Sequence, residues 1–158
     1  MIEELKELTQ LLEELHAKGK IRHRIVCGFQ NLIREEGLSS KNITYFPYPM
    51  AIFSRDGYLA AVNLTISKET GLTANDLLIT GHNILNRITN ANLPILDAVE
   101  EVFKGKTTFL SDLYEPLNIF IRDITHMKKS ASRYQNAIFF PIAEAAGKAS
   151  HGAAIFMQ

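Results

Sequence analysis

Strand-like segments stand on both sides of a helical middle, and that order constrains the fold more than any other feature of the chain. Tyr48 to Ser54 is an apolar run, Arg55-Asp56-Gly57 is a tight-turn signal, and Tyr58 to Val62 returns from it, which reads as a hairpin. Residues 106–113, 137–142 and 153–157 read as three more strands, the last two joined by a turn containing Gly147. Between the two groups lie helical pieces. Residues 63–69 are stopped by Gly71, and 73–78 open on Thr73 as N-cap with Asp76 three residues on; a short piece spans 82–87. A longer helix starts at Asn92, carries Pro94 in its first turn, buries Ile95, Leu96, Val99, Val102 and Phe103, and ends at Gly105. This order predicts an α+β fold, a five-stranded antiparallel sheet with helices gathered on one face. Residues 114–134 read as a helical insertion, with Leu117, Phe120, Ile121, Ile124 and Met127 on one apolar face.

Two helices precede the sheet, so the chain divides into a helical extension over 1–44 and a domain over 45–158. In the first helix Leu5, Leu8, Leu12 and Leu15 recur at spacings of three and four, with Gly19 as C-cap. In the second, Ile21, Ile25, Phe29, Leu32 and Ile33 share a face, with Gly37 after it. Helices this short cannot hide such stripes alone. The expectation is that Leu5, Leu8, Leu12 and Leu15 zip against a second copy, giving a homodimer. The alternative packs them on the second helix or on the outer face of the sheet within one chain.

Composition enters by exclusion. Seventeen basic and seventeen acidic side chains cancel, which speaks against a broad basic surface and so against direct nucleic-acid contact. The single cysteine, Cys27, allows no internal disulfide framework and no multi-cysteine zinc site. No segment has the roughly 18 consecutive apolar residues of a membrane span, and the acidic start is unlike a signal peptide, so no membrane partner and a cytoplasmic place are expected. No phosphate-binding loop, glycine-rich nucleotide fingerprint, Gly-x-Ser-x-Gly elbow or His-Glu-x-x-His is present, and the chain reads as a non-enzyme. His23, with Gln30 and Asn31, resembles a phospho-acceptor helix only faintly, because Arg24 stands where an acidic or amide neighbour is expected.

From Tyr48 onward the chain resembles a PAS (Per-Arnt-Sim) domain. The resemblance rests on Pro49 through Asn63 as the opening hairpin with its Asp56-Gly57 turn and helix-starting asparagine. It continues through Thr70-Gly71-Leu72-Thr73-Ala74-Asn75-Asp76-Leu77-Leu78, Gly81-His82-Asn83, Val102-Phe103-Lys104-Gly105, and Phe140-Pro141-Ile142 through Gly147. It covers residues 48–157 except the insertion. Asp123-Ile124-Thr125 mimics the family's closing Asp-Ile-Thr, yet two strands still follow it; the true closing position falls near Gln158.

The resemblance implies a sensory or regulatory module with an interior that takes a small molecule. Its inward positions would be Ala51 and Phe53 on the first strand, Gln135, Ala137 and Phe139 on the fourth, and Gly152, Ala154 and Phe156 on the last. Ile84, Ile88, Leu96 and Val99 would close it from the helices. A small apolar or aromatic ligand is expected, oriented by Gln135, and no cofactor. Ile84 stands where flavin-binding light sensors of the family carry a reactive cysteine. Residues 92–104 contain no histidine for a haem, and His82, His126 and His151 are the nearest candidates. The signal would leave through the flanking helices to an output domain of a transcriptional regulator or sensor kinase on the full-length chain. The alternative function is a ligand-free protein–protein interaction scaffold.

Overall fold

Alternation along the three central strands decides the architecture, because both of their faces are apolar. The computed structural model describes residues 2–14, 22–38, 40–79, 83–121, 133–143 and 148–158. In chain order these form α1 (Ile2–Glu14), α2 (Arg22–Glu36), α3 (Lys41–Thr44), β1 (Met50–Ser54), β2 (Leu59–Val62), α4 (Leu64–Thr70) and α5 (Ala74–Ile79). Two 3-10 turns (Ile84–Arg87 and Asn90–Asn92) lead into α6 (Leu93–Phe103). Then come β3 (Thr108–Leu110), a 3-10 turn over Pro116–Phe120, β4 (Asn136–Ala143) and β5 (Ala149–Met157). The sheet is antiparallel with strand order β2-β1-β5-β4-β3, as the α+β expectation required.

On β1, β4 and β5, Ala51, Phe53, Ala137, Phe139, Ala154 and Phe156 point to one face, while Met50, Ile52, Ile138, Phe140, Ile142, Ala153, Ile155 and Met157 point to the other. A sheet hydrophobic on both faces must be covered on both. The inner face is covered by α4, α5 and α6. The outer face is covered by α2 of the same chain, through Ile25, Val26, Phe29, Leu32 and Ile33. Phe29 meets Phe46 edge-on at 4.9 Å and Phe140 at 6.2 Å. Gln30 Nε2 donates to the carbonyl of Pro141 on β4 at 2.8 Å, which pins the helix to the strand.

Within one chain, part of the leucine stripe packs in this outer layer, as the intramolecular alternative expected. Leu8 and Leu11 are buried within the chain and Leu5 packs half-buried against the same cluster. Leu8 sits over Gly28 of α2, where a β-carbon would strike its Cδ2 atom. The nearest apolar partner is α2, and proximity along the chain favours it. Nothing is described of the Leu12 side chain, and Leu15, Gly19, Ile21, His82, Gly147 and the stretch carrying Ile124, His126 and Met127 lie outside the described residues.

Two further expectations concern the segments after α6. The strand read over 106–113 shortens to Thr108–Leu110, because Asp112 (φ 56°) and Glu115 (φ 43°) take left-handed conformations that turn the chain away. Among its described residues the insertion holds the 3-10 turn Pro116–Phe120, with Leu117, Ile119 and Phe120 buried, and the helical reading over 122–132 lies outside the described residues.

Local signals hold elsewhere. Asp76 N donates to Thr73 Oγ1 at 3.1 Å and Thr73 N to Asp76 Oδ2 at 3.2 Å, a reciprocal cap of α5. Gly57 (φ 93°) allows the β1–β2 turn to press on Leu85, whose Cγ would lie 2.7 Å from an added β-carbon. Ile84 N donates to the Gly57 carbonyl and Asn83 Nδ2 to the Asp56 carbonyl, each at 2.9 Å.

Asn63 makes the densest of these nodes. Fully buried, its Oδ1 accepts from Met50 N (3.1 Å) and Ile66 N (3.2 Å), and its Nδ2 donates to the carbonyls of Tyr48 (2.7 Å) and Phe46 (3.3 Å). Replacing it leaves buried backbone groups without partners, at roughly 1–3 kcal/mol for each such group. Asn63→Ala is expected to cost about 3 kcal/mol and lower the melting temperature by about 9 °C. A calorimetric loss below about 1 kcal/mol would show that the node is not structural.

Candidate functional site

The candidate site is the interior between the inner sheet face and α4–α6. Of the residues expected there, Ala51, Phe53, Ile84, Val99, Ala137, Phe139, Ala154 and Phe156 are brought together in one buried cluster, with Ile88 half-buried against it. Gly152 is buried on β5 opposite Phe53. An added β-carbon there would lie 2.6 Å from the Phe53 ring and 2.8 Å from Val102 Cγ1, so the close approach of that ring requires glycine.

Two expected residues are not part of it. Gln135 is exposed. Its N–H donates to the Met157 carbonyl and its carbonyl accepts from Leu113 N, but β4 begins one residue later and the period of two does not extend back to it. Leu96 is half-buried outside the cluster. Helical phase puts Ile95, Ala98, Val99 and Val102 on the inward face of α6, and Leu96 lies about 100° round from Ile95.

Aromatic rings run through this interior in contact. Phe103 meets Phe53 at 6.0 Å, Phe53 meets Phe139 at 6.2 Å, Phe139 meets Phe156 at 6.2 Å, and Phe156 meets Phe120 edge-on at 5.6 Å. These spacings lie in the favourable range for offset and edge-to-face pairs. Phe120 comes from the insertion, whose apolar face was legible in the sequence while its destination was not. Sequence reasoning also missed Tyr134, a large side chain only 2% exposed. The PAS resemblance pointed to its neighbour Gln135.

Tyr134 carries the interior's link to charge. Its hydroxyl donates to Glu69 Oε1 (3.3 Å) and accepts from Arg133 Nη2 (2.8 Å), which also reaches Glu69 Oε1 (3.1 Å). Burial pushes the Tyr134 hydroxyl above its usual range, against the pull of the Arg133 hydrogen bond. Other polar groups sit at the start of α6. Asn92 is buried, its Nδ2 3.5 Å from the Glu115 carbonyl, which also accepts from Asn118 N at 3.0 Å. The Oδ1 atoms of Asn92 and Asn118 are buried without hydrogen-bond partners.

Among the described residues no cluster of three or more His, Cys, Asp or Glu side chains is placed to hold a metal, and no helix is long and apolar enough to cross a membrane. Ile84 is buried in the interior, while Cys27 belongs to the outer layer on α2. His151 lies on β5 with Nδ1 3.0 Å from Ser150 Oγ.

Five antiparallel strands in this order, with short helices and α6 over the inner face, give the chain the PAS fold. Solved structures agree. The chain is similar to a sensory box sensor histidine kinase from Vibrio cholerae (TM-score 0.50, 15% identity, covering 89% of this chain and 94% of that one). It is similar to the PAS domain of BvgS from Bordetella pertussis (TM-score 0.53, 16% identity, 81% and 85%). It is also similar to VqmA bound to DPO (TM-score 0.52, 12% identity, 72% of this chain), of which it spans only 53%. At these identities the likeness is one of fold. No family model matches the sequence, and no curated protein does.

The Tyr134 proton gives the site a pH signature. A hydroxyl whose folded value is raised contributes stability that is complete below the unfolded value, about 10, and is lost as pH rises through the folded value. Tyr134→Phe is therefore expected to cost about 1 kcal/mol at neutral pH, and the gap to the native protein should narrow above pH ~10. Denaturant unfolding of both proteins at a series of alkaline pH values checks this. A gap that stays constant or widens contradicts it.

Proposed function

We propose that the chain is a non-catalytic sensory module that takes a small apolar or aromatic molecule into its interior. Binding would shift the packing of the sheet, and the N-terminal helices would carry the change. In this reading it works in the cytoplasm, as a dimer, for the output domain of a transcriptional regulator or sensor kinase. The carrying observation is that inner and outer clusters alternate residue by residue along β1, β4 and β5. A strand displaced by a guest against Phe139 or Phe156 moves Ile138, Phe140 and Ile155, on which α2 rests. A ligand that prefers one packing over the other then selects a position of α2.

Similarity in fold to a sensor histidine kinase and to a ligand-bound VqmA supports the sensory reading. The buried, unpartnered amide oxygens of Asn92 and Asn118 are the candidates to orient a guest in the role expected of Gln135. With Leu8 buried inside the chain, a dimer through these helices would use the faces of α1 and α2 turned away from the sheet. The second reading, a ligand-free interaction scaffold, is favoured by the contacting rings that fill the interior.

Native mass spectrometry and melting shifts on a broad metabolite panel separate the two. The sensory reading expects a retained small molecule or a stabilising shift, with slower hydrogen exchange along α2. Gly152→Ala, which crowds Phe53 and costs about 1–3 kcal/mol, should weaken that binding about tenfold or more. Silence in both assays leaves the scaffold reading.

A further inference from the structure

The ring of Tyr134 belongs to the interior, but its hydroxyl faces Glu69 and Arg133, and this trio borders a cleft of about 360 Å³ on the other side. Tyr45 and Pro47, from the segment after α3, form one wall of that cleft, and Leu64, Thr65 and Lys68 of α4 are also among its lining residues. Tyr45 is 67% exposed and Leu64 39% exposed, so both present apolar surface to solvent along the cleft. The cleft therefore offers apolar surface beside a fixed polar floor. Its volume sits at the small end of the range for small-molecule sites.

The charges narrow the chemistry. Glu69 is buried, and one of its oxygens already takes two donors, Arg133 Nη2 and the Tyr134 hydroxyl. Arg133 itself keeps about half of its side chain in solvent, and Lys68 is exposed at the rim. Among the described lining residues, two cations against one carboxylate leave one positive charge. That balance suits a single negative charge, and the exposed Tyr45 and Leu64 suit a flat apolar body. The geometry points to a second binding site for a small monocarboxylate with an aromatic or aliphatic body, its head on Lys68 and Arg133 and its body on Tyr45, Pro47 and Leu64.

Position gives the site a regulatory consequence. Thr65 Oγ1 donates to the Phe46 carbonyl at 2.7 Å, so the wall after α3 and the wall on α4 are hydrogen-bonded to each other. Phe46 is packed against Phe29 of α2. A molecule bridging Tyr45 and Lys68 holds the segment that leads out of the N-terminal helices against the domain. The site thus acts on the extension from outside, independently of whether the interior is filled.

Phenylacetate is a suitable probe, with phenylacetamide as its neutral counterpart. In a nitrogen-15 NMR titration of the full chain, phenylacetate should perturb residues 45–47 and 64–69 with millimolar affinity. The amide should bind about tenfold more weakly, as expected when a charged hydrogen-bond acceptor is lost. Lys68→Ala should weaken phenylacetate about fivefold, and raised salt should weaken it in the native protein. Tyr45→Ala should weaken phenylacetate and phenylacetamide alike. Lys68 and Tyr45 are exposed, so both variants keep the fold, which unchanged spectra elsewhere verify. Gly152→Ala, which disturbs the interior, should leave this binding intact. The proposal is overturned by no perturbation at tens of millimolar phenylacetate, equal binding of the amide, or indifference to Lys68→Ala. Shifts confined to Phe53, Val99 and Phe156 would also overturn it, because they place the probe in the interior.

Discussion

The amide of Asn63 is the point on which the two parts of the molecule depend. One oxygen serves the start of β1 and the first turn of α4; one nitrogen serves the two carbonyls that end the approach from the N-terminal helices. Each bond contributes only about 1 kcal/mol net, but a buried backbone group left unpaired costs more than the bond was worth. The arrangement is therefore cooperative. The β1 edge, the α4 cap and the segment through Phe46 and Tyr48 are all correct together or not at all. Thr65 adds a second donor to the Phe46 carbonyl, closing the same node from α4.

From that node follows the two-layer arrangement. Once Phe46 is fixed, its ring stands where Phe29 can meet it, and α2 is brought over the outer face of β4. The helix has no comparable apolar partner of its own, so its order derives from the sheet rather than from intrinsic propensity. The sheet in turn needs the helix, because Ile138, Phe140 and Ile155 would otherwise face water. This mutual requirement makes one sheet serve both layers. The strands are the shared wall, and their alternation assigns every second residue to the interior and the rest to α2.

Much of this was legible in the chain. The Asp56-Gly57 turn, the Thr73–Asp76 cap, Asn63 at a helix start and the Pro94 helix are local signals, decided by backbone geometry within a few residues, and all appear where the residues put them. Most of the inward residues are those the PAS resemblance implied, and the strand alternation agrees with them. Failures came where the outcome depends on something distant. Gln135 obeys the parity of Ala137 and Phe139, yet the strand starts after it and Tyr134 takes the interior instead. Leu96 and Ile95 are equally apolar, and only the packed phase of α6 separates them. The insertion announced an apolar face without revealing that Phe120 would meet Phe156. The Glu69–Arg133–Tyr134 trio joins residues more than sixty positions apart, and no periodic pattern connects them.

The leucine stripe teaches the same lesson with a mechanical consequence. A heptad-like pattern records only that a face must be buried, not in which chain, and here α2 is the closer partner. Between α1 and α2 the ion pair Arg24–Glu7, 3.7 Å long with both side chains about two-thirds exposed, contributes little. Their register is set instead by Leu8 seated at Gly28, where no side chain of α2 intervenes. Such a contact between close-packed surfaces tolerates little sliding, because a sub-ångström gap already forfeits much of the dispersion energy. A displacement of α2 on the sheet must therefore either carry α1 with it or unseat Leu8. Both outcomes change which apolar surface the N-terminal helices present. The glycine notch thus couples the position of α1 to that of α2 through a single close-packed contact.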